Sequence, residues 1–416
     1  MSQQAAIDAI KKKLLGKRLT YEEVFSVMDE IAHKRLGPVL TTYFAAASFE
    51  QGFSNDELYY LTKSMVETGD RLHFKGIVAD KHSTGGVAGT RTTMIVVPII
   101  AAAGIQIPKN SSRAITSPSG TADTMEVLAP VTFSPRQIEH IVEKVGGCIV
   151  WGGHLGLAPA DDVIIQVEQP LAFESFDKVI VSIMAKKVAS GATHVVFDIP
   201  VGPNMKIVHF KDAELIAKKF SYLAQKFNIK VVTDVNETRQ PAGRGVGPTL
   251  EVLDVFRILE QTANRPLALE RKALRLAGKL LEICFESMPN KQKKLGEDVA
   301  REMLLSGKAL VKMREIIKAQ GGDPYVASEH IKLAKEKYEV QAETQGRIIE
   351  VNNKNISIIA RILGSPADKK AGVYIVKRLE ETIAKNDILC ILYAQDKWRL
   401  KEARETLRSV PIYTIE

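Results

Sequence analysis

Helical spacing of apolar positions, interrupted by helix-start signals, characterises the first seventy or so residues of the chain. Thr20–Glu23 (TYEE) and Ser54–Glu57 (SNDE) both fit the capping box. In that motif a hydroxyl and a carboxylate three residues apart bind each other's free backbone amides. We therefore predict a short helix after each signal.

The middle of the chain alternates short β-rich runs with helical stretches. GIVADKH, which ends at His82, is brief and β-like, and TTMIVVPIIAAAGI behind it predicts a helix or strand buried on all sides. Further β-rich runs are separated by helical stretches such as 212–227; they are CIVW at 148–151, HVVFDI at 194–199 and KVVTD at 230–234. This alternation favours an α/β core with a mixed, mostly parallel central sheet.

The character of the sequence changes near Tyr338. A charged stretch after Gly321–Pro324 predicts a helix that ends near Tyr338. From residue 339 to 416, turn residues separate β-branched runs, as in VQAETQGRIIEVNNKNISIIARILG. This pattern indicates a separate small α+β module.

Composition excludes several classes of protein. With 416 residues, 45% apolar and 25% charged, the chain has the values of a folded protein of roughly two or three domains. The net charge of +8 is spread along the sequence, and only 6% of residues are aromatic. A basic stripe interleaved with stacking aromatics is absent, so we expect no nucleic-acid partner.

The sequence also predicts a cytoplasmic protein. Its longest apolar run, Met94–Pro108, is too short to cross a bilayer, so we expect no membrane partner. The N-terminus lacks the apolar segment and cleavage site of a secretory signal. Three widely spaced cysteines without a CxxC pair argue against a disulfide framework or a thiolate metal site.

The stretch DKHSTGGVAGTRTT, residues 80–93, has the composition of an oxyanion cradle. Gly85, Gly86 and Gly89 let backbone N–H groups approach a ligand, and Lys81 adds a cation among several hydroxyls. The lysine precedes the glycines, so this is not a Walker A motif. A merely tight turn is the alternative for this stretch taken alone.

A second donor-rich cluster, Lys109–Asp123, follows the apolar run. Like the first, it contains cations, several hydroxyl side chains, a glycine and an acidic residue. If both loops lie at the same end of the sheet, they could face one tetrahedral anion. Two donor-rich loops around one buried segment favour phosphate binding over a tight turn.

His82 and the pair Ser182 and Lys186 are the remaining candidates for chemistry. His82 adjoins the first loop and titrates near neutral pH, which suits proton donation; a structural histidine is the alternative. The other histidines lack metal-ligand spacing, so we expect no catalytic metal.

Ser182 and Lys186 lie four apart, on one face of a predicted helix, and could bind one planar ligand unless that helix merely exposes its lysines to solvent.

These segments resemble the thymidine and pyrimidine-nucleoside phosphorylase family, and within it the type 2 branch that contains the AMP phosphorylases. KHSTGG looks like the family's phosphate-loop signature. The longer segments that are similar to the type 2 branch are SSRAITSPSGTADTMEVL, THVVFDIPVGPNMK and RQPAGRGVGP. The resemblance covers nearly the whole chain.

The resemblance implies three structural units and a homodimer. They are a helical domain (1–70 and 159–189), a phosphate-binding α/β domain (71–158 and 190–335) and the C-terminal α+β module (339–416). The active site would lie in the cleft between the first two. Family members use inorganic phosphate as co-substrate and no cofactor.

By position, the resemblance also implies site residues. The phosphate ligands would be Lys81, Ser83, Thr92, Ser111 and Thr121. In thymidine phosphorylases the base is held at the positions of His82, Ser182 and Lys186. In AMP phosphorylases the nucleotide contacts fall on Gly86, Ser112, Arg113, Ala114, Ile115, Thr116, Ser117, Thr121, Ser182 and Lys206.

At two positions this sequence differs from the relatives that it resembles, and the differences concern the choice of substrate and the identity of the general acid. Pyrimidine-specific relatives carry a base-reading arginine where this chain has QVEQP at 166–170, which favours a nucleoside 5′-monophosphate such as AMP over a pyrimidine nucleoside. The proton donor proposed for AMP phosphorylases is an aspartate whose position falls on Glu174, so His82 and Glu174 are competing general acids.

The reaction that the resemblance implies is the phosphorolysis of a nucleotide, catalysed by a pentosyltransferase. A thymidine or pyrimidine nucleoside phosphorylase is the alternative. A magnesium-dependent enzyme similar to anthranilate phosphoribosyltransferase, and a nucleotide-binding regulator without turnover, are more distant ones.

Overall fold

The structure is a computed structural model that describes residues 3–114, 117–168, 175–289 and 295–416, apart from the side chains of Phe49, Gln51 and His154. It begins with a bundle of helices, whose bounds are α1 Gln3–Leu14, α2 Tyr21–Ala32, α3 Gly37–Gln51 and α4 Asn55–Glu67. Both capping boxes are confirmed at the starts of α2 and α4. Glu57 in the second box also pairs with the buried Lys13, which ties α4 to α1.

The α/β part follows. Its first half contains β1 Ala79–Ser83, α5 Thr93–Ala102, β2 Ile107–Ser111, α6 Thr121–Met125, α7 Pro135–Val145 and β3 Gly147–Trp151. Then come α8 Pro159–Glu168 and α9 Phe176–Ala189. The second half contains β4 His194–Val201, α10 Phe210–Lys226, β5 Lys230–Glu237, β6 Gly245–Val246, α11 Pro248–Leu259, α12 Leu267–Phe285, α13 Gly296–Leu305 and α14 Lys308–Ala319.

The central sheet explains why the two donor-rich loops meet. β1 pairs in parallel with β4 and β4 with β5, while β2 pairs in parallel with β3. A parallel bridge between Val78 and Gln106 joins the two groups of strands. The carboxyl ends of β1 and β2 therefore lie at one edge of the sheet, where α/β proteins bind ligands. The apolar run between them is α5, a helix buried over its whole length from Thr93 to Ala101.

The helices α8 and α9 return to the N-terminal bundle. α8 packs against α2 and α3, and α9 packs against α4. Their apolar side chains share one core with those of α1, α2 and α4 and with β4 and α10. This core brings α9, which carries Ser182 and Lys186, beside the sheet.

One predicted helix is wrong. The charged stretch before Tyr338 contains only a helical turn at Ser328–His330, and the chain then enters a strand at Glu336. The strand alternates charged residues with Tyr338 and Val340, which pack on the core of the C-terminal module. Pairing with a neighbouring strand outweighs the helical propensity of its lysines and glutamates.

The C-terminal module is an α+β unit that takes one strand from the α/β part. Its elements are β7 Glu336–Gln341, β8 Gly346–Val351, α15 Asn353–Ile362, β9 Gly372–Ile375, β10 Thr382–Ile383, β11 Ile388–Ala394, α16 Lys397–Thr406 and β12 Tyr413–Ile415. One sheet has the order β6-β9-β11-β7 and the other β10-β8-β12. Because β6 pairs with β9, the module is joined to the α/β part by backbone hydrogen bonds.

Within the described ranges, the helices are all too short or too polar to cross a membrane. The three cysteines are buried and form no disulfide.

Candidate active site

Lys81 lies on β1 beneath the Gly-rich loop. Its side chain is buried, with Nζ 3.5 Å from Oγ1 of Thr93 and 3.9 Å from Oδ2 of Asp198. Burial lowers the pKa of Lys81 to about 8; Asp198 opposes this shift, and Lys272 and Lys109 add to it. The ammonium group is thus a cation poorly neutralised by its surroundings, which suits the binding of an anion.

The loop after β1 is shaped by glycines. Gly85 and Gly86 have φ values of +82° and +86°, which side-chain-bearing residues rarely adopt. A Cβ on Gly86 would lie 2.8 Å from Cγ of Lys206, so Lys206 packs directly over the loop. The N–H of Gly85 donates to Oγ of Ser83 at 3.3 Å, which turns that serine toward the loop.

Unpaired polar atoms collect at this edge of the sheet. Thr92 lies just before α5, and its buried hydroxyl has no hydrogen-bond partner among the described residues. The same holds for Oγ1 of Thr84 and Nδ2 of Asn110. Leaving a buried donor unpaired costs about 1–3 kcal/mol, so donors grouped in this way indicate a place for a polar ligand.

The second donor-rich loop is held closed by Asp123. Its Oδ2 accepts from the backbone N–H groups of Ala114 (2.7 Å) and Gly120 (2.9 Å). A Cβ on Gly120 would lie 2.5 Å from the carbonyl oxygen of Ser112, so the two sides of the loop touch there. This closure brings the start of α6, where Thr121 lies, next to the end of β2, where Ser111 lies.

Arg91 connects the two loops. It lies in the first loop, pairs with Glu251 at 2.5 Å and donates to the carbonyl oxygen of Ser119 in the second. Glu251 also accepts from Thr124 at 2.7 Å. The phosphate residues implied by the resemblance therefore lie on two loops that are fastened to one another.

Two of the predicted nucleotide contacts on the second loop have side chains that already bind other groups of the protein. The guanidinium of Arg113 pairs with Glu126 at 2.5 Å and with Asp123 at 3.2 Å, and it lies over the ring of Trp151. Its charge is therefore already matched by two carboxylates of the protein. The hydroxyl of Ser117 donates to Ser119 at 2.7 Å. Ile115, Thr116 and the candidate acid Glu174 lie outside the described residues.

Ser182 and Lys186 do lie on one face of one helix, α9, and both contact Asp161. Asp161 Oδ2 accepts from Ser182 at 2.7 Å and pairs with Nζ of Lys186 at 2.7 Å. Burial lowers the pKa of Lys186, but the attraction of Asp161 outweighs burial and the pKa ends above its ordinary value. Asp161 was missed by sequence reasoning, although two acids in the first turn of α8 were a visible signal.

His82 lies partly exposed at the end of β1, with its ring 6.4 Å from that of Phe197. Although part of the ring is accessible, the surrounding protein removes most of its hydration. This desolvation, together with Lys187, Lys109 and Lys81, lowers the pKa of His82 well below its ordinary value. The imidazole is therefore neutral at pH 7 and can donate a hydrogen bond without carrying charge.

A buried charge cluster beneath the site was also missed. Asp80 on β1 pairs with Lys109 at 3.2 Å and with Lys187 of α9, and all three side chains are buried. Burial raises the pKa of Asp80, but the two lysines outweigh it, and the pKa falls below its ordinary value. Burial lowers the pKa of Lys187 to about 7. The cluster joins α9 to the sheet directly behind Lys81 and His82.

Lys206 and α9 border a cavity of about 140 Å³ beside the first loop. Apolar residues of α9 and α10 form most of its wall, and Thr84 and Lys206 supply the polar part; the lining is Thr84, Phe176, Val179, Ile180, Lys206, Ile207, Ile216 and Phe220. An apolar wall with a few polar groups suits a base and sugar better than an anion alone.

Comparison with protein families agrees with this architecture. Residues 75–310 match the model described as "Glycosyl transferase family, a/b domain" and residues 7–69 match "Glycosyl transferase family, helical bundle domain". Residues 348–413 match "Pyrimidine nucleoside phosphorylase C-terminal domain". The match to residues 75–310 covers the α/β part together with α8 and α9, the match to 7–69 covers the N-terminal helices, and the match to 348–413 lies in the C-terminal module.

Similar curated proteins align over nearly the whole chain. AMP phosphorylase 1 of Archaeoglobus fulgidus is 42% identical over 96% of this chain and 78% of its own length. AMP phosphorylase of Thermofilum pendens is 44% identical over 98% of this chain and 78% of its own. A Methylococcus capsulatus protein, named provisionally as a thymidine phosphorylase, is 40% identical over 99% of this chain and 78% of its own.

Among solved structures, anthranilate phosphoribosyltransferase of Thermus thermophilus is similar in fold. The TM-score is 0.61 at 20% identity, and the match covers 75% of this chain and 99% of that one. This likeness concerns the fold alone. The family matches and the relatives confirm the resemblance read from the motifs: the chain belongs to the glycosyl transferase family defined by this helical bundle and a/b domain, with the C-terminal domain of the pyrimidine nucleoside phosphorylases.

Proposed function

We propose that this protein is a pentosyltransferase that cleaves the N-glycosidic bond of a nucleoside 5′-monophosphate such as AMP with inorganic phosphate. The products are the free base and ribose 1,5-bisphosphate. The observation that carries the proposal is the buried cation of Lys81, 3.5 Å from the hydroxyl of Thr93 at the ligand-binding edge of the sheet, where the hydroxyl of the adjacent residue Thr92 is buried without a hydrogen-bond partner among the described residues. Relatives named AMP phosphorylase at 42–44% identity support the nucleotide as substrate.

The residues of the site fit this reaction step by step. Phosphate is held with one oxygen directed at the anomeric carbon, by Lys81 and Ser83 on β1, Thr92 before α5, Ser111 at the end of β2 and Thr121 at the start of α6. That oxygen bonds to the carbon as the bond to the base nitrogen breaks, and the electron pair leaves with the base. Positive charge develops on the sugar, so a fixed anion beside it lowers the barrier.

The departing base needs a proton or a hydrogen bond. Since the low pKa of His82 leaves its imidazole neutral at pH 7, we assign His82 the hydrogen-bonding role toward the base and Glu174 the role of proton donor. Ser182 and Lys186, which share Asp161, lie on the α9 side of the site and orient the base. Gly86, the Ser112–Ser117 stretch and Lys206 are the proposed nucleotide contacts.

A phosphate-dependent base-release assay across AMP, CMP, UMP, adenosine, thymidine and uridine tests the proposal. We expect AMP or another nucleotide to be cleaved only when phosphate is present. Cleavage of thymidine and uridine in preference to every nucleotide would support the alternative, a pyrimidine nucleoside phosphorylase, which the Methylococcus relative favours. Inert nucleotides and nucleosides together with consumption of phosphoribosyl pyrophosphate would overturn both.

The phosphoribosyltransferase alternative finds little support near Lys81. Asp198 on β4 and Asp234 on β5 are two buried carboxylates of the same sheet, and both are already paired with cations. Asp198 pairs with Lys272 at 3.0 Å, and Asp234 pairs with Arg275 at 2.8 Å and Lys279 at 2.7 Å. Carboxylates neutralised in this way are poor magnesium ligands compared with free ones.

Lys206→Ala should reduce kcat/KM for AMP about 10-fold or more and leave adenosine nearly unchanged. Lys206 is an exposed residue whose Cγ lies over the loop at Gly86, so we propose that its ammonium group reaches the 5′-phosphate of a bound nucleotide. A charge-assisted hydrogen bond of this kind contributes about 1.5–3 kcal/mol. Kinetics on the nucleotide and nucleoside pair measure the difference. Equal losses on both would contradict a 5′-phosphate role for this lysine.

Phosphate affinity should fall on the alkaline side of pH 8. Because burial lowers the pKa of Lys81 to about 8, the free protein loses this positive charge above that pH. The value of kcat/KM for phosphate, which reports the free enzyme, should then fall about tenfold per pH unit. A bound anion raises the lysine pKa again, so kcat should decline only at higher pH. A kcat/KM that stays level to pH 10 would show that Lys81 is not the binding cation.

We also propose that the protein is a homodimer that acts in the cytoplasm. Val39 and Tyr43, one helical turn apart on α3, are 66% and 54% exposed, and Leu15 after α1 is 73% exposed, so the helical bundle carries large apolar side chains that could contact a second copy. Analytical ultracentrifugation and cell fractionation test these two statements; a monomer at micromolar concentration would contradict the first.

A further inference from the structure

Asn353, the first residue of α15 in the C-terminal module, reaches into the Gly-rich loop. Its Nδ2 donates to the carbonyl oxygen of Gly86 at 2.6 Å, and its Oδ1 accepts from the N–H of Ala88 at 2.9 Å. The residue is only 2% exposed and lies 265 positions after Ala88 in the chain. The amide side chain of Asn353 therefore binds a backbone carbonyl and a backbone N–H group in the middle of the loop.

The loop depends on such external bonds because glycines leave it little rigidity of its own. Gly85, Gly86 and Gly89 all have positive φ, and glycine loses more conformational freedom on ordering than any other residue. At one end the loop is held by the bond from the N–H of Thr84 to Asp198, and at the other by the bond from the N–H of Gly243 to Gly89. Asn353 supplies the support between these points.

The module also contacts two other segments of the site. Lys369 pairs with Glu126 at 2.8 Å and with Asp123 at 3.4 Å, and Asp123 is the residue that closes the second loop. Asn204, in the turn before Lys206, donates to Glu350 at 2.8 Å. Ala88 itself packs in the apolar core of the module. The C-terminal module therefore contacts all three segments of the α/β part that bear proposed ligand contacts: the Gly-rich loop, the second loop and the turn before Lys206.

We propose that the C-terminal module is a working part of the active site and that Asn353 is a positioning residue for phosphate binding. By fixing the carbonyl of Gly86 and the N–H of Ala88, Asn353 holds the loop in the conformation in which Lys81 and Ser83 meet the anion. This inference rests on the proposed function, since it takes the anion to be the phosphate nucleophile.

The chemistry requires an amide at this position. The side chain must donate to a carbonyl and accept from an N–H at once, which asparagine does and aspartate does not. Asn353→Asp keeps nearly the same shape and the acceptor, but it sets a carboxylate against the Gly86 carbonyl and adds negative charge near an anion site. Asn353→Ala removes both bonds without adding charge.

Asn353→Ala should raise the KM for phosphate about tenfold at saturating AMP while kcat changes much less, because the loop loses both of its bonds to this side chain and adopts the binding conformation for a smaller part of the time. Asn353→Asp should raise it further. Asn355→Ala is the matched control: Asn355 lies on the same helix and donates to Pro411 at 2.7 Å within the module. It should leave the KM for phosphate unchanged.

A second readout does not depend on turnover. Inorganic phosphate alone should raise the unfolding temperature of the parent protein and of Asn355→Ala, and raise that of Asn353→Ala much less. An unchanged KM for phosphate in Asn353→Ala, or an equal rise in Asn355→Ala, would overturn the positioning role. The proposed function fails by a different result, which is the absence of phosphate-dependent base release from every nucleotide and nucleoside in the parent protein.

Discussion

Lys81→Ala should abolish phosphate-dependent base release from every substrate, with a loss of at least about 10²–10³-fold in kcat/KM. Lys81 provides the buried ammonium group at the loop, and the nucleophile is common to all substrates, so nucleotides and nucleosides should suffer alike. The variant should still fold, because Asp198 keeps Lys272 at 3.0 Å and Asn236 at 2.9 Å as partners. Base release followed by absorbance or chromatography measures the loss.

Lys401→Ala is the control for removal of a lysine as such. Lys401 is exposed and pairs only loosely, at 3.8 Å, with Glu405 in the following turn of its helix. Its removal should leave activity at the parent level. If Lys81→Ala lowers activity toward one substrate and spares another, then Lys81 contacts the substrate and does not hold the shared nucleophile.

Asp80→Asn should lower the free energy of unfolding by about 3–5 kcal/mol, the cost of breaking a buried ion pair from one side. The substitution leaves Lys109 and Lys187, which are 3% and 1% exposed, without their shared carboxylate. Because Lys187 is on α9 and Asp80 on β1, the contact between the helical part and the sheet should loosen as well. Urea unfolding followed by circular dichroism measures the first effect.

Two further variants make this result specific. Adding Lys187→Met to Asp80→Asn removes one of the two buried lysines that have lost their carboxylate partner, and it should recover part of the lost free energy of unfolding. Glu297→Gln, which breaks an exposed pair with Arg301, should change stability by less than about 1 kcal/mol. An Asp80→Asn protein as stable as its parent would mean that the buried lysines do not depend on this carboxylate.

Local patterns in the sequence predict local features well. The capping boxes at Thr20 and Ser54 depend only on residues three apart, and both form. The apolar run behind the first loop predicts a helix or strand buried on all sides, and it is a buried helix. Ser182 and Lys186 share a face of α9 because their spacing matches the helical repeat. The order of strands and loops then places the phosphate segments at one edge of the sheet.

The remaining features depend on contacts between distant segments. Lys187 reads in sequence as a solvated lysine beside Lys186, and only the packing of α9 on the sheet buries it against Asp80. Asn353 lies in VNNKN, which has the composition of a turn, and nothing nearby in sequence indicates its bonds to Gly86 and Ala88. The stretch before Tyr338 has helical propensity, but from Glu336 onward the chain is strand β7, which pairs with β11. In each case the deciding partner lies far along the chain.

The two-residue strand β6, which pairs with β9, has a consequence for synthesis of the protein. The Gly-rich loop and β6 leave the ribosome long before β9 and Asn353 do, since Asn353 follows Ala88 by 265 residues. Domains generally fold in order during translation, and long-range pairings form late. The Gly-rich loop, which bears the proposed phosphate ligands, is therefore made early and completed among the last, so a nascent or truncated chain has the sequence of this loop without the contacts that fix its conformation.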